Sequence, residues 1–188
     1  GPDAVIGQMV ALLDAVRRNG PDVEIVGLGV GAPGPLDGEA GIAIAPPTLA
    51  GWRDVPLAAR LEERLGLPVR IENDANAAAL GEWRFGAGRG TNSMVFITVS
   101  TGIGGGVIVD GKLLRGRRGL AGEIGHMTIA EGRERCACGN LGCWEALASG
   151  TALGREASRR VAAGDAPALR AIAGSDRVTA RHVAEAAR

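Results

Sequence analysis

Hydrophobic residues recur at helical spacing along the chain, and short apolar runs of the kind that form strands separate these stretches. The stretch 4–20 places apolar residues on one helical face and stops at Gly20, which predicts a first helix. The apolar run 23–34 follows it and predicts a buried strand that ends in a tight turn. A helix followed by a strand is a typical opening of an α/β fold.

The alternation of helices and strands continues through residue 86. Turn residues and apolar spacing predict, in order, a hairpin over 34–45, a proline-bounded loop over 46–52, a helix over 55–66, a strand over 67–72 and a helix over 73–86. Either Asn73 or Asp74 can cap the last of these helices, because both residue types accept hydrogen bonds from a helix N-terminus.

The second half of the chain begins with strands and ends with helices. Residues 93–114 predict two strands joined by a glycine-rich turn, with a second turn at Asp110 and Gly111. The chain beyond residue 148 is rich in alanine and predicts helices. The polar, glycine-rich stretch 86–93 favours a lobe boundary, which gives an N-terminal lobe over 1–92 and a partial C-terminal lobe over 93–188.

Composition and charge restrict the class of protein. With 188 residues, 46% of them hydrophobic, the chain can bury the core of one large or two small domains. Lys plus Arg and Asp plus Glu each number 21, so no overall charge favours nucleic acid or anionic lipid as a partner of this segment. No apolar run approaches the roughly 18 residues of a membrane span. We therefore expect a cytoplasmic protein with no membrane partner.

The cysteines form the sharpest local signal. Three cysteines cannot form a closed set of disulfides, but one imidazole and three thiols lie within eighteen positions: His126, Cys136, Cys138 and Cys143. Four such ligands satisfy a tetrahedral Zn²⁺ ion and leave no open position, which indicates a structural ion. Gly139 and Gly142 permit the tight turns that would aim the thiols at one point. The alternative is that the cysteines are buried and free, beside a solvent-facing histidine.

A second signal is the sequence STGIGGG over 100–106, which follows a predicted strand. Four of its residues could bind phosphate through backbone N–H groups and a hydroxyl: Thr101, Gly102, Gly104 and Gly105. It is not a Walker A motif, because no Gly-Lys-Ser/Thr sequence closes it. A plain glycine-rich hairpin is the competing explanation.

A third signal is Asp74, which lies at the junction of a predicted strand and the following helix. Ligands of open α/β sheets bind at such strand ends, so this carboxylate could act as a general base. The alternative is that Asp74 only caps the helix.

Together these motifs resemble those of one family. The stretches IENDANAAALGEWRFGAG, STGIGGGVIVDGKLLRG, GLAGEIGHM and CACGNLGCWEALASG look like the signatures of the ROK family of bacterial sugar kinases and sugar-responsive repressors. They are most similar to those of the family's glucokinases. The resemblance runs from about Val26 to Ala152.

The resemblance implies a fold of the actin and hexokinase type, with two α/β lobes built on ribonuclease-H-like sheets and a sugar between them. It implies an ATP-dependent kinase that phosphorylates a hexose, with glucose at its 6-hydroxyl as the expected substrate and Mg²⁺ accompanying ATP. Asp74 would be the catalytic base. The sugar would be bound by Asn73, Asp74, Glu123, His126 and Glu145. A homodimer is expected, and the alternative function is a sugar-sensing repressor without its DNA-binding domain.

Two departures from the family pattern concern the ends of the chain. The family's Asp-x-Gly-Gly-Thr phosphate motif does not precede Val26, and the later segments that hold adenosine do not follow before Arg188. We therefore expect an internal portion of the fold, able to bind sugar and zinc but lacking much of the nucleotide pocket. A lesser departure is the loop around Thr48, where many relatives have asparagine.

Overall fold

The computed structural model describes residues 1–46, 48–132 and 134–188, so the predicted loop 46–52 falls partly outside the described residues. The chain divides into two compact units. The first unit comprises Gly1–Phe96 and Gly106–Gly122, and the second comprises Ile97–Gly105 and Glu123–Arg188. The lobe boundary that the sequence analysis placed between residues 92 and 93 stays a prediction.

The first unit is an α/β layer built on two parallel strands. Its elements are α1 (Pro2–Asn19), β1 (Leu28–Ala32), β2 (Leu36–Asp37), β3 (Ile42–Ala43), α2 (Leu57–Leu65), β4 (Val69–Asn73) and α3 (Asp74–Phe85). Strands β1 and β4 pair in parallel, from Leu28 opposite Val69 to Ala32 opposite Asn73. A core that includes Ile6, Leu61 and Val69, all fully buried, joins α1 and α2 to these strands.

The sequence predicted the order of these elements correctly, and the largest difference lies at the first strand. The apolar run 23–34 predicted a strand, but β1 begins only at Leu28. Val23 and Val26 are 64% and 76% exposed, and β4 begins at Val69, opposite Leu28. Within the described ranges, the apolar residues before Leu28 therefore have no strand beside them, and an apolar run alone does not form a strand without a partner.

The three strands β5 (Met94–Val99), β6 (Ile103–Val109) and β7 (Lys112–Leu113) form one sheet in the order β5-β6-β7. Asp110 and Gly111 have φ angles of 48° and 71°, which confirms the tight turn predicted between β6 and β7. Residues 100–102 form the turn between β5 and β6, as the sequence predicted.

The second unit is mainly helical, which confirms the prediction for the alanine-rich part of the chain. A single 3₁₀ turn (Ile124–His126) precedes the cysteines, and α4 (Trp144–Ala148), α5 (Gly150–Ala163), α6 (Pro167–Ala173) and α7 (Ala180–Ala186) follow them. The buried Ser149 caps α5 by accepting a hydrogen bond from the N–H of Ala152 at 3.1 Å. Ala157, Ala173 and Val178 form a small core between the last three helices.

None of the helices in the described part of the chain combines the length and apolarity that crossing a membrane requires.

Gly106 lies where β6 packs closely on α3, and a substitution there tests this packing. A Cβ atom at Gly106 would lie 2.5 Å from the Cβ of Ala79 and 3.1 Å from the carbonyl oxygen of Ala75. We therefore expect Gly106→Ala to lower the free energy of unfolding by about 1–3 kcal/mol through overpacking. Urea denaturation measures the change. Gly81→Ala on α3 is the matched control, because nothing lies within 4 Å of its added Cβ; equal stability of the two variants would contradict the close packing.

Candidate functional site

The junction of β4 and α3 brings two of the predicted site residues to the carboxyl end of the parallel strands. Asn73 ends β4 opposite Ala32, and α3 begins at Asp74. The Oδ1 atom of Asn73 accepts hydrogen bonds from the N–H groups of Ala75 at 3.0 Å and Asn76 at 3.1 Å. Asn73 is therefore the N-cap of α3, because its side chain satisfies two donors that the first helical turn leaves unpaired.

Asp74 occupies the first helical position and is exposed. Its Oδ1 accepts a hydrogen bond from the N–H of Ala75 at 2.9 Å, a donor that Asn73 also satisfies. Its Oδ2 accepts none from the described part of the chain. Of the two residues that could cap α3, Asn73 is therefore the cap. The Oδ2 atom of Asp74 is available to accept a hydrogen bond from a ligand.

The four predicted metal ligands lie together in the second unit. One imidazole nitrogen of His126 and the sulfurs of Cys136, Cys138 and Cys143 all lie within 4.8 Å of one another. The Sγ atoms of Cys138 and Cys143 are 3.8 Å apart, and Cys136 Sγ is 3.5 Å from His126 Nδ1. All three cysteines are free.

Two of these separations, from Cys136 Sγ to His126 Nδ1 and from Cys138 Sγ to Cys143 Sγ, match those around a tetrahedral ion. With Zn–S bonds of about 2.3 Å and Zn–N bonds of about 2.0 Å, ligand atoms at the corners of a tetrahedron are separated by roughly 3.5–3.8 Å. A disulfide would instead bring two sulfurs to about 2.05 Å. The donor set and its spacing therefore suit one divalent ion coordinated by four protein ligands.

The surroundings of the thiols also bear on metal binding. Burial raises the pKa of Cys136 to about 11, whereas a backbone hydrogen bond from Asn140 lowers the pKa of the exposed Cys138. Cys136 therefore keeps its proton at neutral pH when no ion is bound. An ion must displace that proton, so metal affinity should increase with pH below this pKa.

Two glycines shape the loop that carries the cysteines. Gly139 and Gly142 have φ angles of 94° and 71°, in the left-handed region that glycine adopts without strain. A Cβ atom at Gly142 would also overlap the carbonyl oxygen of Ala130. The tight turns predicted at these two positions are confirmed.

His126 connects the cysteine cluster to another predicted sugar ligand. Its Nδ1 faces Cys136, and its Nε2 lies 3.7 Å from Glu123 Oε2. If Nδ1 ligates a metal, the ring must carry its proton on Nε2, which then donates away from the cluster.

Glu145 makes a contact that sequence reasoning missed. Its Oε2 accepts a hydrogen bond from the N–H of Ile103 at 2.9 Å, and its Oε1 lies 3.8 Å from Cys136 Sγ. A Cβ atom at Gly102 would overlap this carboxylate. Glu145 therefore joins the loop that carries the cysteines to the start of β6, and the absence of a side chain at Gly102 makes room for it.

The four predicted phosphate ligands divide between a turn and a strand. Thr101 and Gly102 lie in the turn, whereas Gly104 and Gly105 lie within β6. The carbonyl oxygen of Thr101 accepts a hydrogen bond from Thr151 Oγ1 at 2.7 Å, which ties the turn to α5. The hairpin of the competing explanation is present, so a phosphate-binding role for these residues stays a prediction.

Comparison with protein families gives one match over nearly the whole chain. The family model described as the ROK family matches residues 2–188. The glucokinase of Streptomyces coelicolor is 40% identical over 191 residues, covering 100% of this chain and 59% of that protein. The xylose repressor of Bacillus subtilis is 44% identical over 129 residues, covering 69% of this chain and 33% of the repressor.

Solved structures include a similar fold. A ROK family glucokinase from Streptomyces griseus, crystallised with glucose and AMPPNP, superposes with a TM-score of 0.77 and 40% identity. The superposition covers 99% of this chain and 60% of that one. The fold is thus that of the ROK hexokinase-type sugar kinases, as expected from the sequence, and this chain spans about three fifths of the length of these two glucokinases.

The cysteine cluster leads to a prediction about metal content. We expect the purified protein to carry about one zinc ion, because one imidazole and three thiols that lie close together can fill the four positions of a structural zinc site. Elemental analysis measures the ion. Cys138→Ser should lower both metal content and thermal stability. Because this thiol is exposed and its replacement loses little packing, the lower stability would result from the loss of the ion.

The two histidines provide a matched control for the metal prediction. His126→Gln should lower metal content, whereas His182→Gln should not, because His182 belongs to the capping box of α7 with Thr179 and not to the cysteine cluster. Metal well below one equivalent in the folded parent, or unchanged metal in Cys138→Ser, would contradict the site.

Proposed function

Because the chain belongs to the ROK family, we propose that it is part of an ATP-dependent kinase that phosphorylates a hexose, with glucose at its 6-hydroxyl as substrate. The resemblance to glucokinases over the whole chain supports the class of reaction. It also underlies the expectation of a homodimer, and we propose a cytoplasmic location as the sequence led us to expect.

The observation that carries this proposal is the division of roles at the end of β4. Asn73 caps α3, so Asp74 is not needed as the cap, and its exposed carboxylate follows the carboxyl end of a parallel strand. Small-molecule ligands of open α/β sheets bind at that edge. A carboxylate there can take the proton from a sugar hydroxyl as the hydroxyl oxygen attacks the γ-phosphate of ATP.

Capping also defines how Asn73 can act on a sugar. Its Oδ1 is occupied by two backbone donors, so the amide Nδ2 is the group left to bind a hydroxyl oxygen. In the second unit we propose that Glu123, His126 and Glu145 bind other hydroxyls. Glu145 accepts hydrogen bonds, and His126 donates from Nε2 when Nδ1 ligates the metal.

Phosphoryl transfer requires mainly positioning and neutralisation of charge. We propose that Thr101, Gly102, Gly104 and Gly105 contribute to binding the ATP phosphates, and that Mg²⁺ bound with ATP neutralises them. The proposed Zn²⁺ ion would supply no chemistry to this reaction, since four protein ligands fill its coordination sphere. His126 and the cysteine loop would instead gain a fixed orientation.

A second candidate function is a sugar-responsive repressor, which the similarity to the B. subtilis xylose repressor favours. The two functions are separated by assaying the full-length protein for ATP-dependent phosphorylation of a hexose panel and for sugar-sensitive DNA binding. Turnover without DNA binding supports the kinase, and sugar-sensitive DNA binding without turnover supports the repressor.

Glu145→Gln tests the proposed sugar contacts of the second unit. Glutamine keeps an oxygen that can accept from the N–H of Ile103, but it removes the charge that strengthens hydrogen bonds from sugar hydroxyls. We expect glucose affinity to fall about ten- to a hundredfold, equivalent to roughly 1.5–3 kcal/mol, while thermal stability changes little.

Calorimetry on the zinc-loaded protein measures this affinity. Glu134→Gln is a suitable control, because Glu134 pairs with Arg155 at 3.0 Å on the surface of the same unit. Equal glucose affinity in Glu145→Gln and the parent would refute the assignment.

Asp74→Asn tests the proposed base in the full-length protein. Asparagine keeps the size of the side chain and an oxygen that can accept from Ala75, and the cap at Asn73 is untouched. We expect kcat to fall at least about a hundredfold, because general-base catalysis contributes ~10²–10⁴-fold, with little change in sugar affinity.

Asp22→Asn, at an exposed loop position, is the matched control for this substitution. If Asp74→Asn retains more than about a tenth of the parental kcat while phosphoryl transfer is rate-limiting, Asp74 is not the base.

A further inference from the structure

Glu72, the residue before Asn73, collects hydrogen bonds from three parts of the first unit. Its Oε1 accepts from the backbone N–H of Asn73 at 3.0 Å and from Asn76 Nδ2 at 3.1 Å. Its Oε2 accepts from Arg115 Nε at 2.7 Å. Only 18% of the Glu72 side chain is exposed, so these donors replace contacts with water that its burial removes.

The bonds on Oε1 span the corner that carries Asp74. Asn73 precedes Asp74 at the end of the strand, and Asn76 follows it in the first turn of the helix, where it is 2% exposed. One oxygen therefore fixes the chain on both sides of Asp74. Asp74 therefore lies between two residues that Glu72 holds.

Arg115 fixes the other end of the network. It lies just beyond β7, and its carbonyl oxygen accepts a hydrogen bond from the N–H of Ala121 at 3.0 Å, which closes the loop 115–121. Its guanidinium group, half exposed, supplies the charge that balances Glu72. The backbone of Arg115 thus closes a loop, and its side chain donates a hydrogen bond to Glu72 near the end of β4.

We propose that Glu72 and Arg115 are a positioning pair, which holds the corner between β4 and α3 so that Asp74 meets the sugar hydroxyl in a reactive orientation. The inference rests on the proposed kinase function. Neither residue is required to touch the sugar, so their loss should reduce the rate of the chemical step more than the affinity for sugar. Small displacements of reacting groups are costly, up to about a hundredfold in rate.

The test uses Glu72→Gln, Arg115→Gln and the double variant of the full-length protein. Glutamine at position 72 can still accept from Asn73 and Asn76, and both parental side chains border a cavity of about 710 Å³, so neither substitution requires a core to repack. We expect each single variant to lower kcat between about fivefold and a hundredfold. The glucose dissociation constant, measured by calorimetry, should change less than about threefold.

The double variant separates a pair from two independent effects. If Glu72 and Arg115 act as one unit, the double variant should lose no more kcat than the worse single variant. Glu63→Gln and Arg117→Gln are controls, because both residues are exposed and lie outside the network. They should retain the parental kcat.

Three outcomes would overturn the proposal: single variants that keep more than half of the parental kcat, losses that multiply in the double variant, or a loss confined to sugar affinity. If Glu72→Gln fails to fold, the kcat of Arg115→Gln decides whether the proposal holds. The Arg115 side chain is half exposed, so its replacement should not prevent folding. Failure of Asp74→Asn to lower kcat refutes the proposed base. Normal behaviour of the Glu72 and Arg115 variants beside a disabled Asp74→Asn refutes the positioning pair alone.

Discussion

The N-terminus of α3 has backbone N–H groups that need acceptors, and the chemistry proposed for the first unit depends on which residue supplies them. Asn73 provides one oxygen for two of these donors, and its backbone, with ψ at 140°, turns the chain from strand to helix. Because the cap is an amide, it keeps an N–H₂ group that can face a ligand. Because Asn73 provides the cap, the carboxylate of Asp74, whose Oδ1 accepts one bond from Ala75, is not required as the cap of α3.

In the second unit, too, one side chain makes several contacts: Glu145, in the first turn of α4. Its carboxylate contacts the turn between β5 and β6 through Ile103 and the cysteine loop through Cys136. A side chain at Gly102 would exclude this arrangement. The close approach of the Glu145 carboxylate therefore explains why residue 102 is a glycine. This explanation does not require a phosphate ligand.

The order of helices and strands could be predicted because it follows from local periodicity and turn residues, as at Gly20 and at Asp110 with Gly111. The cap of α3 could not, because asparagine and aspartate are equally good caps and only the backbone angles distinguish them. The contacts of Glu145 with Ile103 and of Glu72 with Arg115 join residues 42 and 43 positions apart. No local pattern encodes such pairs. The cysteine cluster could be predicted from spacing because its ligands are close in sequence and chemically distinctive.

The packing of the cysteine loop gives a physical reason why the proposed ion would stabilise its shape. Its buried core consists of Cys136, Cys143 and Ala146, whereas Met127 and Ile129 are more than half exposed. So small a core cannot offset the entropy of ordering the loop. Without an ion, Cys136 must also remain a buried, protonated thiol with its pKa raised to about 11. Coordination would replace that proton with bonds to one centre, and the free energy of binding would then be folding free energy for the loop that holds His126.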